Sequence, residues 1–121
     1  MATPEPDTME IKNEDYSVVY DPADTTVNFQ GSLRLSGMPE YAPIVELLDR
    51  TLETNPDCIT LNLEKLEFLN SSGINVLSKF VIKVRQKKTV RTIVRGNQNI
   101  LWQAKSLKNL KRLMPSLQLE L

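Results

Sequence analysis

Apolar and polar positions alternate from Thr26 to Leu35, with Val27 and Phe29 before Gly31 and Leu33 and Leu35 after it. A period of two predicts a half-buried strand, and a glycine inside it marks a bulge or a close backbone approach. A shorter β-favouring run, Tyr16 to Tyr20, precedes it. The intervening Asp21-Pro22-Ala23-Asp24 is a turn signal, so the two runs read as a hairpin. After Ser36-Gly37-Met38-Pro39 the period changes. Tyr41, Ile44, Leu47, Leu48 and Leu52 recur at helical spacing, and Asn55-Pro56-Asp57 ends that helix.

Cys58 to Leu63 is an apolar-rich central strand, with Thr60 and Asn62 facing a more polar layer. A second helix runs from about Ser72 to Gln86, its inner stripe formed by Ile74, Leu77, Val81 and Val84 and widened by Phe80. Lys87-Lys88-Thr89 closes it with cations, which suits the negative end of a helix dipole. Val90, Thr92, Ile93 and Val94 make another strand. Asn97 or Asn99 then caps a last helix carrying Ile100, Leu101, Ala104, Leu107, Leu110 and Leu113. Pro115 stops it, and Leu117, Leu119 and Leu121 alternate as a final short strand. The order β-β-α-β-α-β-α-β predicts an α/β fold. Its sheet is mixed, with four to five strands, a parallel centre and three or more helices packed against it.

Residues 1–14 are rich in Pro, Asp and Glu and read as a flexible acidic tail, leaving 15–121 as one domain. That segment has no apolar stretch of the kind a secretory signal needs, and no run of apolar residues is long enough to span a membrane. With a single cysteine, Cys58, there is no internal disulfide to expect, and the cytoplasm is the expected compartment. The formal net charge is zero but unevenly spread. Residues 1–60 carry 12 acids and 3 bases, and residues 61–121 carry 12 bases and 3 acids. The bases are dispersed along two helix patterns with few aromatics among them. They read as a solvated face or one that meets an acidic patch, not as a nucleic-acid surface. The polarity also suits head-to-tail contacts between copies.

Catalytic chemistry finds few parts. There is no histidine, hence no Ser–His or Cys–His pair, and Glu64 and Glu67 are the only acids near the serines. No zinc ligand set and no phosphate-binding glycine loop occur, so neither an enzyme nor a cofactor is predicted. The one reactive cluster is Glu67-Phe68-Leu69-Asn70-Ser71-Ser72-Gly73-Ile74, at the junction of the central strand and the second helix. Two hydroxyls meet free helix N–H groups there, a place that tolerates an anion or a phosphate. The plainer reading is an N-cap, a role expected for Ser72.

The block from Ile59 to Gly73 resembles the signature of STAS domains, the fold of bacterial anti-sigma factor antagonists. That signature is a hydrophobic strand, an aromatic–hydrophobic pair, then Asp-Ser-[Ser/Thr]-Gly opening an amphipathic helix. Phe29-Gln30-Gly31-Ser32-Leu33 is similar to the family's earlier Leu-x-Gly-x-Leu segment, and the resemblance covers residues 16–121. It implies a STAS-like mixed sheet and a non-catalytic partner switch. Ser71 takes the place of the serine that is phosphorylated by an anti-sigma factor with a GHKL-type kinase fold and dephosphorylated by a PP2C-type phosphatase. Asn70, Ser71, Ser72 and Gly73, with Asn75 and Lys79 further along the helix, are the partner-binding candidates. Asn70 departs from the acidic residue of the pattern. An amide hydrogen-bonds but supplies no charge. SiaC-like regulators, whose output partner is a diguanylate cyclase, are similar at this asparagine and hydroxyl. A nucleotide or small-ligand sensor and a non-phosphorylated scaffold are the remaining readings.

Overall fold

The computed structural model describes residues 9–121. The elements run β1 (Met9–Lys12), β2 (Tyr16–Asp21), β3 (Thr26–Leu33), α1 (Gly37–Glu53), β4 (Cys58–Leu69), α2 (Ser71–Lys87), β5 (Arg91–Arg95), α3 (Leu101–Leu113) and β6 (Gln118–Glu120). The six strands lie side by side in chain order. Strands β1, β2 and β3 pair antiparallel, and β3 to β6 pair parallel. The expected hairpin is β2–β3, and the parallel centre is β3–β4–β5. One strand, β1, was not anticipated. It lies inside the stretch 1–14 expected to be a tail, and residues 1–8 fall outside the described residues. Met9 and Ile11 alternate toward the core opposite Tyr20 and Val18, which is the physical reason this segment pairs.

Register shows which face is dry. Val18, Phe29, Tyr20, Val27, Leu61 and Val94 occupy paired positions and are all buried. The helices cover that face, α2 packing between α1 and α3. The opposite positions, such as Ser17, Gln30, Asn28, Asn62 and Arg95, are exposed or half-buried, so one face of the sheet is open. Thr60 and Asn62 do face this polar layer, where the Asn62 amide donates to Asn28 Oδ1 at 3.0 Å.

Strand β4 extends six residues beyond the expected end at Leu63. Its inward residues there are Leu63, Leu66 and Leu69, spaced by three. Period-two reasoning overlooks such spacing, but two register shifts against β3 explain it: Asn28 and Gln30 pair with Asn62 and Lys65, and Gly31 and Ser32 pair with Leu66 and Phe68. Each shift inserts one extra β4 residue, and the strand keeps its leucines on the core side. Gly31 sits at this irregularity with φ +90°, and a Cβ there would lie 2.8 Å from Tyr16 Cα. This is the close backbone approach the sequence indicates. Past Asn62, β4 has no β5 partner. Helix α3 replaces it: the buried Gln103 amide donates to the carbonyls of Leu63 (2.6 Å) and Leu66 (3.0 Å), and Trp102 Nε1 donates to Leu66 (3.2 Å).

Candidate functional site

Strand β4 hands over to α2 at Asn70, whose extended backbone (φ −80°, ψ 176°) makes it the helix cap. The expectation that Ser72 caps α2 is therefore corrected. Asn70 Oδ1 accepts from the Gly73 N–H at 3.0 Å and from the Tyr41 hydroxyl at 2.7 Å. Its Nδ2 donates to the Leu35 carbonyl at 2.8 Å, and its backbone N–H donates to the Leu33 carbonyl at 3.3 Å. The partners fix the amide's orientation, because turning it over would point NH2 at the Gly73 N–H. One side chain thus ties the end of β3, the start of α1 and the first turn of α2. A carboxylate can accept from Tyr41 and Gly73 but would face the Leu35 carbonyl without a proton to share. The residue that departs from the acidic pattern is the one this geometry requires.

Tyr41 belongs to the same clamp. Its ring is buried, and its hydroxyl also lies 3.3 Å from the Leu33 carbonyl. Burial pushes its phenol above the usual tyrosine range, opposed by the Leu35 backbone and aided by nearby Tyr16. Gly73 is buried, and a Cβ there would meet the Leu69 side chain and lie 2.7 Å from the Tyr41 hydroxyl. Its lack of a side chain lets α2 sit down on the end of β4 with the clamp closed.

Against this fixed base, Ser71 is the first residue of α2 and is exposed, while Ser72 is half-buried. Neither hydroxyl enters a hydrogen bond among the described residues. Asn75 and Lys79 are exposed at intervals of one turn, so Ser71, Asn75 and Lys79 share a helix face. Asn70 and Gly73 face inward and support that face. Lys79 also lines a cavity of about 90 Å³ between α1 and α2 with Met38, Val45, Val76 and Phe80. Below it, Lys83 bridges Asp49 at 2.9 Å and ties α2 to α1.

One neighbour, Arg34, was not singled out in the sequence. Arg34 lies between Leu33 and Leu35, both of which accept from Asn70, and its guanidinium sits 4.9 Å from the centre of the Phe68 ring. Only the strand pairing of Leu33 with Leu69, which no local pattern announces, places them together. Elsewhere the expected roles are modest. Cys58 is half-buried, Phe80 is core, Trp102 is half-buried against β4, and the N-cap of α3 is Ile100, which makes no side-chain cap bond. Asn97 Oδ1 instead accepts from the Asn99 N–H at 2.9 Å. Among the described residues no group of acids and thiols could hold a metal ion, and no helix is long and apolar enough to cross a membrane.

No family model matches the sequence, and no curated protein matches it either. Solved structures do. SiaC of Pseudomonas aeruginosa superposes with a TM-score of 0.71 at 14% identity, covering 94% of this chain and 96% of that one. Its apo form gives 0.68 at 11% identity, covering 94% and 98%. An anti-sigma factor antagonist from Mycobacterium paratuberculosis gives 0.54 at 19% identity, covering 96% and 90%. The fold is STAS-like. At such identities the likeness is one of fold, and it extends over 94–96% of the chain. Among the described residues the STAS-like sheet has six strands, one more than the upper expectation of five.

Proposed function

We propose that this STAS-like chain is a regulatory protein-binding module, a partner switch set by phosphorylation of Ser71. The observation that carries this reading is the pairing of an exposed, unbonded Ser71 hydroxyl with a rigid support made by Asn70, Tyr41 and Gly73. A kinase needs an acceptor it can reach, and a switch needs that acceptor on a surface whose shape is held. Ser71 loses its hydroxyl proton and takes the γ-phosphoryl group of ATP, and ADP leaves. The new group carries about −1.5 to −2 charges at neutral pH. A partner that covers the Ser71–Asn75–Lys79 face without the phosphate then meets a charge it must desolvate, and a change of about 3 kcal/mol alters affinity more than a hundredfold.

By resemblance, the kinase is a GHKL-type anti-sigma factor or its counterpart, the phosphatase is of the PP2C type, and the compartment is the cytoplasm. The asparagine–hydroxyl pair and the closer superposition on SiaC, at 0.71 against 0.54, favour a second form of the same switch. In it the output partner is a diguanylate cyclase. Incubation with candidate kinases and ATP, followed by intact-mass analysis, tests the acceptor. One added phosphoryl group, absent in Ser71→Ala, supports it. Partner binding that is the same for wild type, Ser71→Ala and the phosphorylated protein overturns the switch.

A further inference from the structure

Arg34 is the only basic residue between Lys12 and Arg50, in the acidic part of the chain. Among the described residues it takes part in no ion pair, although Glu14 and Asp15 line the same cavity. Its guanidinium rests on the half-exposed Phe68 ring. Its position is fixed from both sides, because the carbonyls of Leu33 and Leu35 both accept from Asn70, the residue next to Ser71. A charged group with five donors thus has its backbone pinned to the residue before the acceptor serine, while its guanidinium lies on an exposed aromatic face, a weak contact compared with a bidentate guanidinium–phosphate pair.

Resting on the reading of Ser71 as the acceptor, we infer that Arg34 is the internal counter-ion of phosphoserine 71. On phosphorylation Arg34 leaves the Phe68 ring and pairs with the phosphate oxygens. The pairing has a structural consequence that a bare charge does not. It uncovers Phe68 by moving the Arg34 side chain over a fixed backbone, so the surface beside the phosphate changes shape as well as charge. The role of Arg34 is to position and partly neutralise the phosphate, and so to set how well the modified site is tolerated.

The test does not need the kinase. Phosphoserine is installed at position 71 during synthesis, in the full chain, with Arg34 intact or replaced as Arg34→Gln or Arg34→Lys. Phosphorus NMR then gives the second ionisation of the phosphate. A close opposite charge favours the dianion, so the apparent pKa is expected to be about one unit lower with Arg34 than with Arg34→Gln. Arg34→Lys should fall between, since it keeps the charge and loses the fork. The Arg34 side-chain proton signals, shifted by the Phe68 ring in the unmodified protein, should move toward ordinary positions in the phosphoprotein. Identical phosphate titrations in wild type and Arg34→Gln, or Arg34 signals unmoved by phosphorylation, overturn the inference. These outcomes are separable from failure of the switch itself, which shows as partner binding indifferent to Ser71.

Discussion

Asn70 concentrates more of the site's geometry than any other side chain. Its amide uses both its donor and its acceptor ends, on Leu35, Tyr41 and Gly73, in a half-buried place. Replacing it by the acid of the family pattern is expected to destabilise the protein. Asn70→Asp should cost about 1–3 kcal/mol in urea unfolding, because the Leu35 carbonyl loses its partner and faces a carboxylate. An Asp variant as stable as wild type would remove the clamp from the account. Tyr41 gives a pH signature. Its folded phenol is raised by burial, so the folded state holds the proton more tightly than the unfolded state does. The stability this contributes is complete below a pH of about 10, the unfolded tyrosine value, and is lost as pH climbs through the raised folded value. Tyr41→Phe should be about 1 kcal/mol less stable near neutrality, where the hydroxyl's bond is made. It should also lose that part of the alkaline slope, measured as unfolding free energy against pH. The sequence displayed Asn70 and Tyr41 as a departure from a motif and as a core position. It did not display their bond, which spans 29 residues.

Strand β4 and helices α2 and α3 show how neighbouring elements make up for one another. The second half of β4 lacks a strand on its β5 side, and Gln103 takes over the carbonyls of Leu63 and Leu66 while accepting from the Asn97 N–H at 2.6 Å. Gln103→Leu fits the volume roughly but leaves these groups unpaired. It is expected to lower stability by about 1–3 kcal/mol. Amide exchange should quicken in Leu66 to Leu69 before the β2–β3 hairpin responds, and uniform quickening would contradict the local role. At the other end of the junction, Gly73→Ala pushes a methyl into Leu69 and the Tyr41 hydroxyl, an overpacking that typically costs about 1–3 kcal/mol. It is read as a fall in melting temperature with Ser71 still exposed. Helix α1, helix α2 and the β2–β3 hairpin were legible because their apolar period is regular. The end of β4 was not, because the bulges change its period to three. The α2 cap was misplaced because serine and asparagine both cap well and only tertiary partners chose between them.

Across the molecule, strand order follows chain order, so the charge imbalance of the sequence becomes an imbalance in space. The acid-rich first half builds β1 to β3 and α1, and the base-rich second half builds α2, β5 and α3. Two oppositely charged sides follow from a zero net charge. Near neutral pH and at low salt the protein should be retained by both anion and cation exchangers and released from each as the Debye length shrinks. Passage through both without delay would mean that the two sides are electrostatically mixed.

The sequence by itself determined the α/β class, the parallel centre, the strand-to-helix junction carrying Ser71 and the uneven charge. These depend on local period, turn residues and chain order, which short-range physics expresses directly. Tertiary structure alone decided that Asn70 and not Ser72 caps α2, that Gln103 completes β4, and that Arg34 lies on Phe68. Each is a contact between residues more than 25 apart or a choice between equal local options, and only the packed sheet brings those partners within hydrogen-bonding or ring-stacking distance.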